Sequence, residues 1–234
     1  MKTVIVTGAS SGLGKEIALQ LGQSGINIIL VARSEDRLKA VCSEIGKNAS
    51  YIVCDINSIS EISRMVSEIS EVAVDALVNN AGVWTDDSLE ADDPDSAKRA
   101  IDVNLHGNVN VTQAILPLLK RNSAKTRILN VLSTAAVHAI PAGNNQAWKM
   151  YGASKWAIDG YMQNLKEELR DTNVQVLNYY PGGFESDLYE NAGRPESHNQ
   201  PWMMKTKDVA EIVTFMLTRP DDIYIESLVV SKGM

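Results

Sequence analysis

The chain has 234 residues, a formal net charge of −7 at pH 7, 44% hydrophobic and 22% charged residues. That balance suits a single α/β domain with one large core. An acidic surface with no concentrated basic patch argues against nucleic-acid binding.

Reading from the first residue, KTVIVT (2–7) predicts a strand, and no charged-then-apolar leader precedes it. No apolar run is long enough to span a bilayer, which points to a cytoplasmic protein without a membrane partner. The strand runs into Thr7-Gly8-Ala9-Ser10-Ser11-Gly12-Leu13-Gly14, and an amphipathic pattern follows at 12–24. Glycines after a strand and before a helix let the backbone turn tightly and approach a pyrophosphate at the helix N-terminus. The spacing is not that of a P-loop: five residues separate Gly8 from Gly14, and Glu16 follows Lys15 where Ser or Thr is required. It is not G-x-G-x-x-G either, but G-x-x-x-G-x-G.

Further strands are predicted at 27–32, 50–54, 74–79, 126–132, 173–179 and 225–230, alternating with helices near 34–46, 58–71, 95–121, 151–170 and 206–217. Several of these strands are almost continuously apolar, as strands buried on both faces of a parallel sheet must be. The alternation predicts a doubly wound, seven-stranded, mostly parallel sheet with helices on both faces. Lys120, Arg121, Lys125 and Arg127 read as a solvated helix end and turn. Cys42 and Cys54 read as reduced thiols. The acidic run from Asp86 to Asp95 reads as a solvated loop entering a helix, and His106, His138 and His198 fall in no metal-ligand spacing, so no metal is expected. The segment 181–205, rich in Pro, Gly, Asn and aromatics, is too long for an ordinary connection and predicts a lid.

The glycine spacing resembles that of the short-chain dehydrogenase/reductase family, and further segments match it in order along nearly the whole chain. These are Asp55 with Ile56 after the third strand, Asn79-Asn80-Ala81-Gly82 closing the fourth, and Asn104 in VNLHG. Ser133 ends the fifth strand, Tyr151-Gly152-Ala153-Ser154-Lys155 forms a Y-x-x-x-K pair, and Pro181-Gly182 follows the sixth. The resemblance implies a Rossmann-type fold over 1–234 and hydride transfer between a nicotinamide cofactor and a carbonyl or alcohol. It implies Tyr151 as general acid/base, Ser133 holding the substrate oxygen, Lys155 holding the nicotinamide ribose, and Asn104 fixing a water beside Lys155. It also implies cofactor contacts from Gly8, Ser10, Ser11, Gly12, Leu13, Gly14, Asp55, Ile56, Asn80, Ala81, Gly82, Tyr151, Pro181, Gly182 and Phe184.

The chemistry of the pair stands on its own. Tyr151 and Lys155 are four apart, hence on one helix face. A phenol with pKa about 10 is a poor base at neutrality, and a neighbouring ammonium and the positive nicotinamide ring of the oxidised cofactor should both lower that value. Members preferring NAD carry an acid after the second strand. Here Val31-Ala32-Arg33-Ser34 offers Arg33 for a 2′-phosphate, which points to NADP(H) with NAD(H) as the second choice.

Two departures from the family stand out. The interval from Ser133 to Tyr151 is several residues longer than usual and contains AIPAGNNQAWKM. Either an enlarged loop covers the site, or Thr134 replaces Ser133 as the hydroxyl donor. The last strand, in IESLVVSKGM, lacks the frequent VDGG ending, which argues against an acyl-carrier-protein reductase. Substrate-wall candidates are Trp84, Val137, Trp148, Gly183, Tyr189 and Trp202, whose aromatic character points to an apolar site, with Arg194 and Lys205 the only candidate anion clamps. The expected function is reduction of an aldehyde, ketone or 3-oxo compound, or oxidation of the matching alcohol. The rivals are an acyl-thioester or pterin carbonyl reductase, and an NADPH-binding sensor without turnover. The long helices near 95–121 and 151–170 are expected to make a homodimer or homotetramer.

Overall fold

Every residue of strand β1 (Thr3–Thr7) is buried, because apolar layers close on both faces. Ile5 packs into one layer, while Val4 and Val6 pack into the other. The computed structural model describes residues 1–85, 94–137, 149–192 and 200–233. After β1 come α1 (Gly12–Gln23), β2 (Asn27–Ala32), α2 (Glu35–Ile45), β3 (Ala49–Val53), α3 (Ile59–Glu68) and β4 (Ala76–Asn79). The second half runs α4 (Pro94–Ile101), α5 (Asn108–Lys120), β5 (Thr126–Val131), α6 (Lys149–Glu168), β6 (Val174–Pro181), α7 (Leu188–Asn191), α8 (Thr206–Leu217) and β7 (Ser227–Val230).

The sheet order is β3-β2-β1-β4-β5-β6-β7. Every described strand pairing is parallel, a stricter arrangement than the mostly parallel sheet expected. One face is covered through Ile62 and Met65 of α3, Val111 and Ile115 of α5, and Ile158 and Met162 of α6. The other is covered through Ile17 and Leu21 of α1, Leu38 of α2, and Val213 of α8. Parallel strands need such crossover helices on both sides.

Three features depart from the sequence expectation. The helix expected over 95–121 is interrupted at Asp102–Gly107 by a π-helical turn. There the Asn108 side chain donates to the carbonyls of Val103 (3.0 Å) and Ala81 (3.0 Å), tying the widened turn to the end of β4. Arg127 is not solvated. It is buried at 3% exposure, and its guanidinium reaches Gln175 (3.2 Å), the carbonyl of Pro220 (3.2 Å), Asp221 (3.4 Å) and the carbonyl of Leu217 at the end of α8. A cation there satisfies carbonyls that the helix terminus leaves unpaired. The last strand is also shorter than expected and half-exposed along its length.

A polar ladder crosses the α5/α6 face of the sheet. Asn79 donates to Asn130 at 2.9 Å and to Thr112 at 2.8 Å, and Asn130 donates to Asn178 at 2.9 Å. The three asparagines sit in register on β4, β5 and β6 and are at most 4% exposed. Asn130→Leu leaves a buried donor and a buried acceptor unpaired. We expect it to lower the unfolding free energy by about 2–4 kcal/mol, measured by urea denaturation.

Candidate active site

Between β1 and β4 the chain's winding reverses, so the connections leave the two carboxyl ends in opposite directions and open a crevice. A cavity of about 690 Å³ fills it. The glycine turn forms its floor. Gly8 (φ +66°) and Gly12 (φ +51°) adopt the left-handed conformation that side chains disfavour. A Cβ on Gly14 would lie 2.4 Å from the Gly8 carbonyl oxygen, so only glycine lets α1 sit this close to the turn. Helix α1 then opens with no acidic residue in its first turn and with the Ser11 side chain making no cap hydrogen bond. Its first N–H groups therefore face the cavity as a site for an anion. The fit to a dinucleotide pyrophosphate is good.

Thr7 locks this turn to β4. Its hydroxyl accepts from the N–H groups of Asn80 (3.0 Å) and Ala81 (3.1 Å), while the Asn80 side chain donates to the Thr7 carbonyl (2.9 Å). Ser10, Ser11, Gly12, Leu13, Asn80, Ala81 and Gly82 all line the cavity. At one end lie Arg33 and Ser34 from the β2–α2 turn and Asp55 and Ile56 beyond β3. Arg37 joins them, one helical turn after Arg33. Its spacing of four from Arg33 is the signal the sequence offers for it. Cys54 is also in this wall, and burial pushes its thiol up to about 11.

At the other end Tyr151 and Lys155 of α6 meet Ser133, whose hydroxyl stands beside the Tyr151 phenol. Ser133 also accepts from the Ala135 N–H (3.1 Å), capping the short 3₁₀ turn Thr134–Ala136. Ser133 and Thr134 both line the cavity, with Thr134 the more deeply held, buried in that turn. The Lys155 ammonium donates to the Val131 carbonyl (3.1 Å) and lies 5.9 Å from the centre of the Tyr151 ring.

The ammonium does not lower the Tyr151 pKa as expected: burial raises it, and the neighbouring Ser133 hydroxyl works in the opposite direction. Burial also brings Lys155 down to about 8. Removal from water disfavours the charged form of both groups, and the ammonium points at a carbonyl rather than at the phenol.

Asn104, Gly14 and Val137 are not on the cavity surface. Asn104 stands behind it in the π turn. It accepts from the Val83 N–H (2.8 Å) and donates to the Val83 carbonyl (2.9 Å) and to Ser154 (3.0 Å), whose hydroxyl bonds the Tyr151 carbonyl (2.7 Å). It therefore joins the end of β4 to the first turns of α6. Val137 is exposed. Trp148, the 138–148 loop, His198 and Arg194 lie outside the described residues. His106 is exposed and pairs with Asp102 at 3.4 Å.

The remaining wall comes from the 181–205 segment. Pro181, Gly182, Gly183, Phe184, Tyr189 and Trp202 line the cavity together with Trp84. The segment's two ends pair: Met204 donates to the Gly183 carbonyl (3.0 Å), and Glu185 to that of Met204 (3.0 Å). Lys205 is engaged by Glu185 and is no anion clamp.

Comparison with known proteins agrees with this geometry. Residues 2–197 match the family described as short chain dehydrogenase. Sulfoacetaldehyde reductase 2 of Chromohalobacter salexigens is 30% identical, covering 96% of this chain and 92% of that protein. A serine dehydrogenase in its closed form with NADP+ superposes with a TM-score of 0.86 at 27% identity, over 98% of this chain and 94% of the other. A 3-ketoacyl-(acyl-carrier-protein) reductase from Brucella melitensis, complexed with NADH, gives the same TM-score and identity over 99% of this chain and 97% of the other.

The Lys155 environment makes a pH prediction. Its folded value, about 8, lies below the unfolded value of 10.5. Between these values the unfolded chain holds a proton that the folded chain has lost, so this lysine's contribution to stability rises with pH. Without cofactor, the stability of the wild type relative to Lys155→Met should increase as pH is raised from 8 towards 10, measured by urea denaturation at each pH.

Proposed function

The chain belongs to the short-chain dehydrogenase family and is an NAD(P)-dependent oxidoreductase. From that premise we propose that it reduces an aldehyde, ketone or 3-oxo compound, or oxidises the matching alcohol, with NADP(H) preferred and Tyr151 as proton donor. The observation that carries the reading is the meeting of Ser133, Tyr151 and Lys155 in one cavity with the open N-terminus of α1. A binding protein that never turned over would have no use for a buried phenol placed in this way.

The nicotinamide cofactor supplies or accepts the hydride. Raised by burial, Tyr151 is fully protonated near neutrality and ready to give its proton to the carbonyl oxygen as negative charge develops there. Ser133 donates a hydrogen bond to the same oxygen and fixes its position. Lys155, whose ammonium lies 5.9 Å from the ring centre, would hold the nicotinamide ribose. Asn104 acts through position, keeping Val83 and Ser154 in place and with them the start of α6.

At the adenosine end, Arg33 and Arg37 favour a 2′-phosphate. Glu35, the nearby acid, is drawn away by Lys39 at 2.9 Å and Tyr51 at 3.3 Å. The 181–205 segment serves as a lid over the substrate end of a single domain. We further expect a homo-oligomer formed through α5 and α6, where Trp156 stands half-exposed; sedimentation as a monomer would refute it. No helix among the described residues is long and apolar enough to cross a membrane, and the cytoplasm is the compartment we expect.

Tyr151→Phe should lower kcat by about 10²–10⁴-fold while leaving the NADPH dissociation constant within about twofold, as followed by fluorescence titration and NADPH oxidation. Ser133→Ala should lower kcat and Thr134→Ala should not; the reverse result transfers the role to Thr134. Arg33→Ala should raise the KM for NADPH by about tenfold or more, the worth of one charge-assisted contact, and leave the KM for NADH unchanged. Equal losses with both cofactors would remove the case for NADP(H).

A further inference from the structure

The substrate end of the cavity is walled by aromatic rings held in two different ways. Trp84, beyond β4, packs against Tyr189 of α7 with ring centroids 5.3 Å apart and planes at 51°. The two rings thus form one continuous tilted surface rather than a stacked pair. Tyr189 lines the same cavity as Tyr151, and its own hydroxyl, pushed up to about 12 chiefly by burial, stays neutral. The third ring, Trp202, is seated on Gly183. A Cβ at Gly183 would lie 2.0 Å from Cζ3 and 2.8 Å from Cε3 of the indole, so the ring occupies the space a side chain would take. The paired backbones at Gly183, Glu185 and Met204 hold this contact in register.

Charge at this end is equally telling. Among the described residues lining the cavity, the cations are Arg33, Arg37 and Lys155. The first two stand at the opposite end, and the third is committed to the Val131 carbonyl beside Tyr151. Lys205, the remaining described candidate, is paired with Glu185. A carboxylate or sulfonate on the substrate would meet rings and no described cation, and burying an unpaired anion is costly.

We propose that Trp84, Tyr189 and Trp202 form an aromatic clamp selecting an uncharged carbonyl compound that carries an aryl or similarly flat apolar substituent, and that Gly183 is the specificity-determining position that seats Trp202. The inference rests on the carbonyl-reductase reading and narrows its substrate class. Gly183 has no positive φ, so Gly183→Ala strains no backbone and acts by lifting the half-exposed indole from its seat.

The test uses NADPH oxidation with four ketones that vary ring and charge independently: ethyl benzoylformate, benzoylformate, ethyl pyruvate and pyruvate. Ethyl benzoylformate, the phenyl ketone, should exceed ethyl pyruvate, the methyl ketone, by about tenfold in kcat/KM, and each ester should exceed its acid by about 100-fold. Tyr189→Ala and Gly183→Ala should each bring the phenyl-to-methyl ratio to within about twofold of unity and leave the ester-to-acid ratio in place. Acids turned over as well as their esters, or a phenyl preference that survives both variants, overturns the clamp. Binding of ethyl mandelate to the NADPH complex, which has no hydride acceptor, is measured by calorimetry alongside. If none of the four ketones reacts but ethyl mandelate binds and both variants weaken it, the clamp stands and the carbonyl-reductase reading falls. If ethyl mandelate fails to bind, or binds the variants equally well, the clamp itself is wrong.

Discussion

The close approach of the β1–α1 turn to the end of β4 is the contact on which the rest of the site depends. Thr7 makes it with one hydroxyl, which accepts two backbone N–H groups from Asn80 and Ala81 and donates to the Val78 carbonyl. The glycines permit it sterically. A side chain at Gly8 would press on Asn80 and Ala81, and one at Gly14 would press on Gly8 itself. Once the two segments meet, the open N-terminus of α1 and the wall that follows β4 face each other across a single crevice. The dinucleotide site is thus a by-product of close packing between two strand ends.

From β4 the same order is carried sideways into the catalytic end. The asparagine ladder holds β4, β5 and β6 in register through buried side chains, and Ser133 follows directly from β5. Asn104 and Asn108, in and beside the π turn, fasten the segment after β4 to α6 and to the turn itself. Such networks stiffen the elements they join, and here the side-chain oxygens of Asn79 and Asn108 are buried without a hydrogen-bond partner.

Burial also sets the resting protonation of the pair. It moves Tyr151 upward and Lys155 downward, each towards its neutral form.

Much of this was legible in the residue order. Strand positions followed from continuous apolar runs, and β2 and α8 fall where the patterns placed them. The glycine turn, the Asn-Asn-Ala-Gly segment and the Y-x-x-x-K pair were readable because each depends on residue type at short spacing. What tertiary structure alone decided has a common physical origin, since burial and desolvation are sums over neighbours distant in the chain. Arg127 looks like a surface charge until α8 ends against it, and the long second-half helix looks continuous until Asn108 takes up carbonyls of its preceding turn. The Y-x-x-x-K spacing suggests an ammonium that acidifies a phenol, but the fold turns that ammonium towards Val131 and buries both groups. Nor does any local pattern show that Trp202 rests on Gly183, a contact between residues nineteen positions apart that exists only because the backbones of Gly183 and Met204 pair.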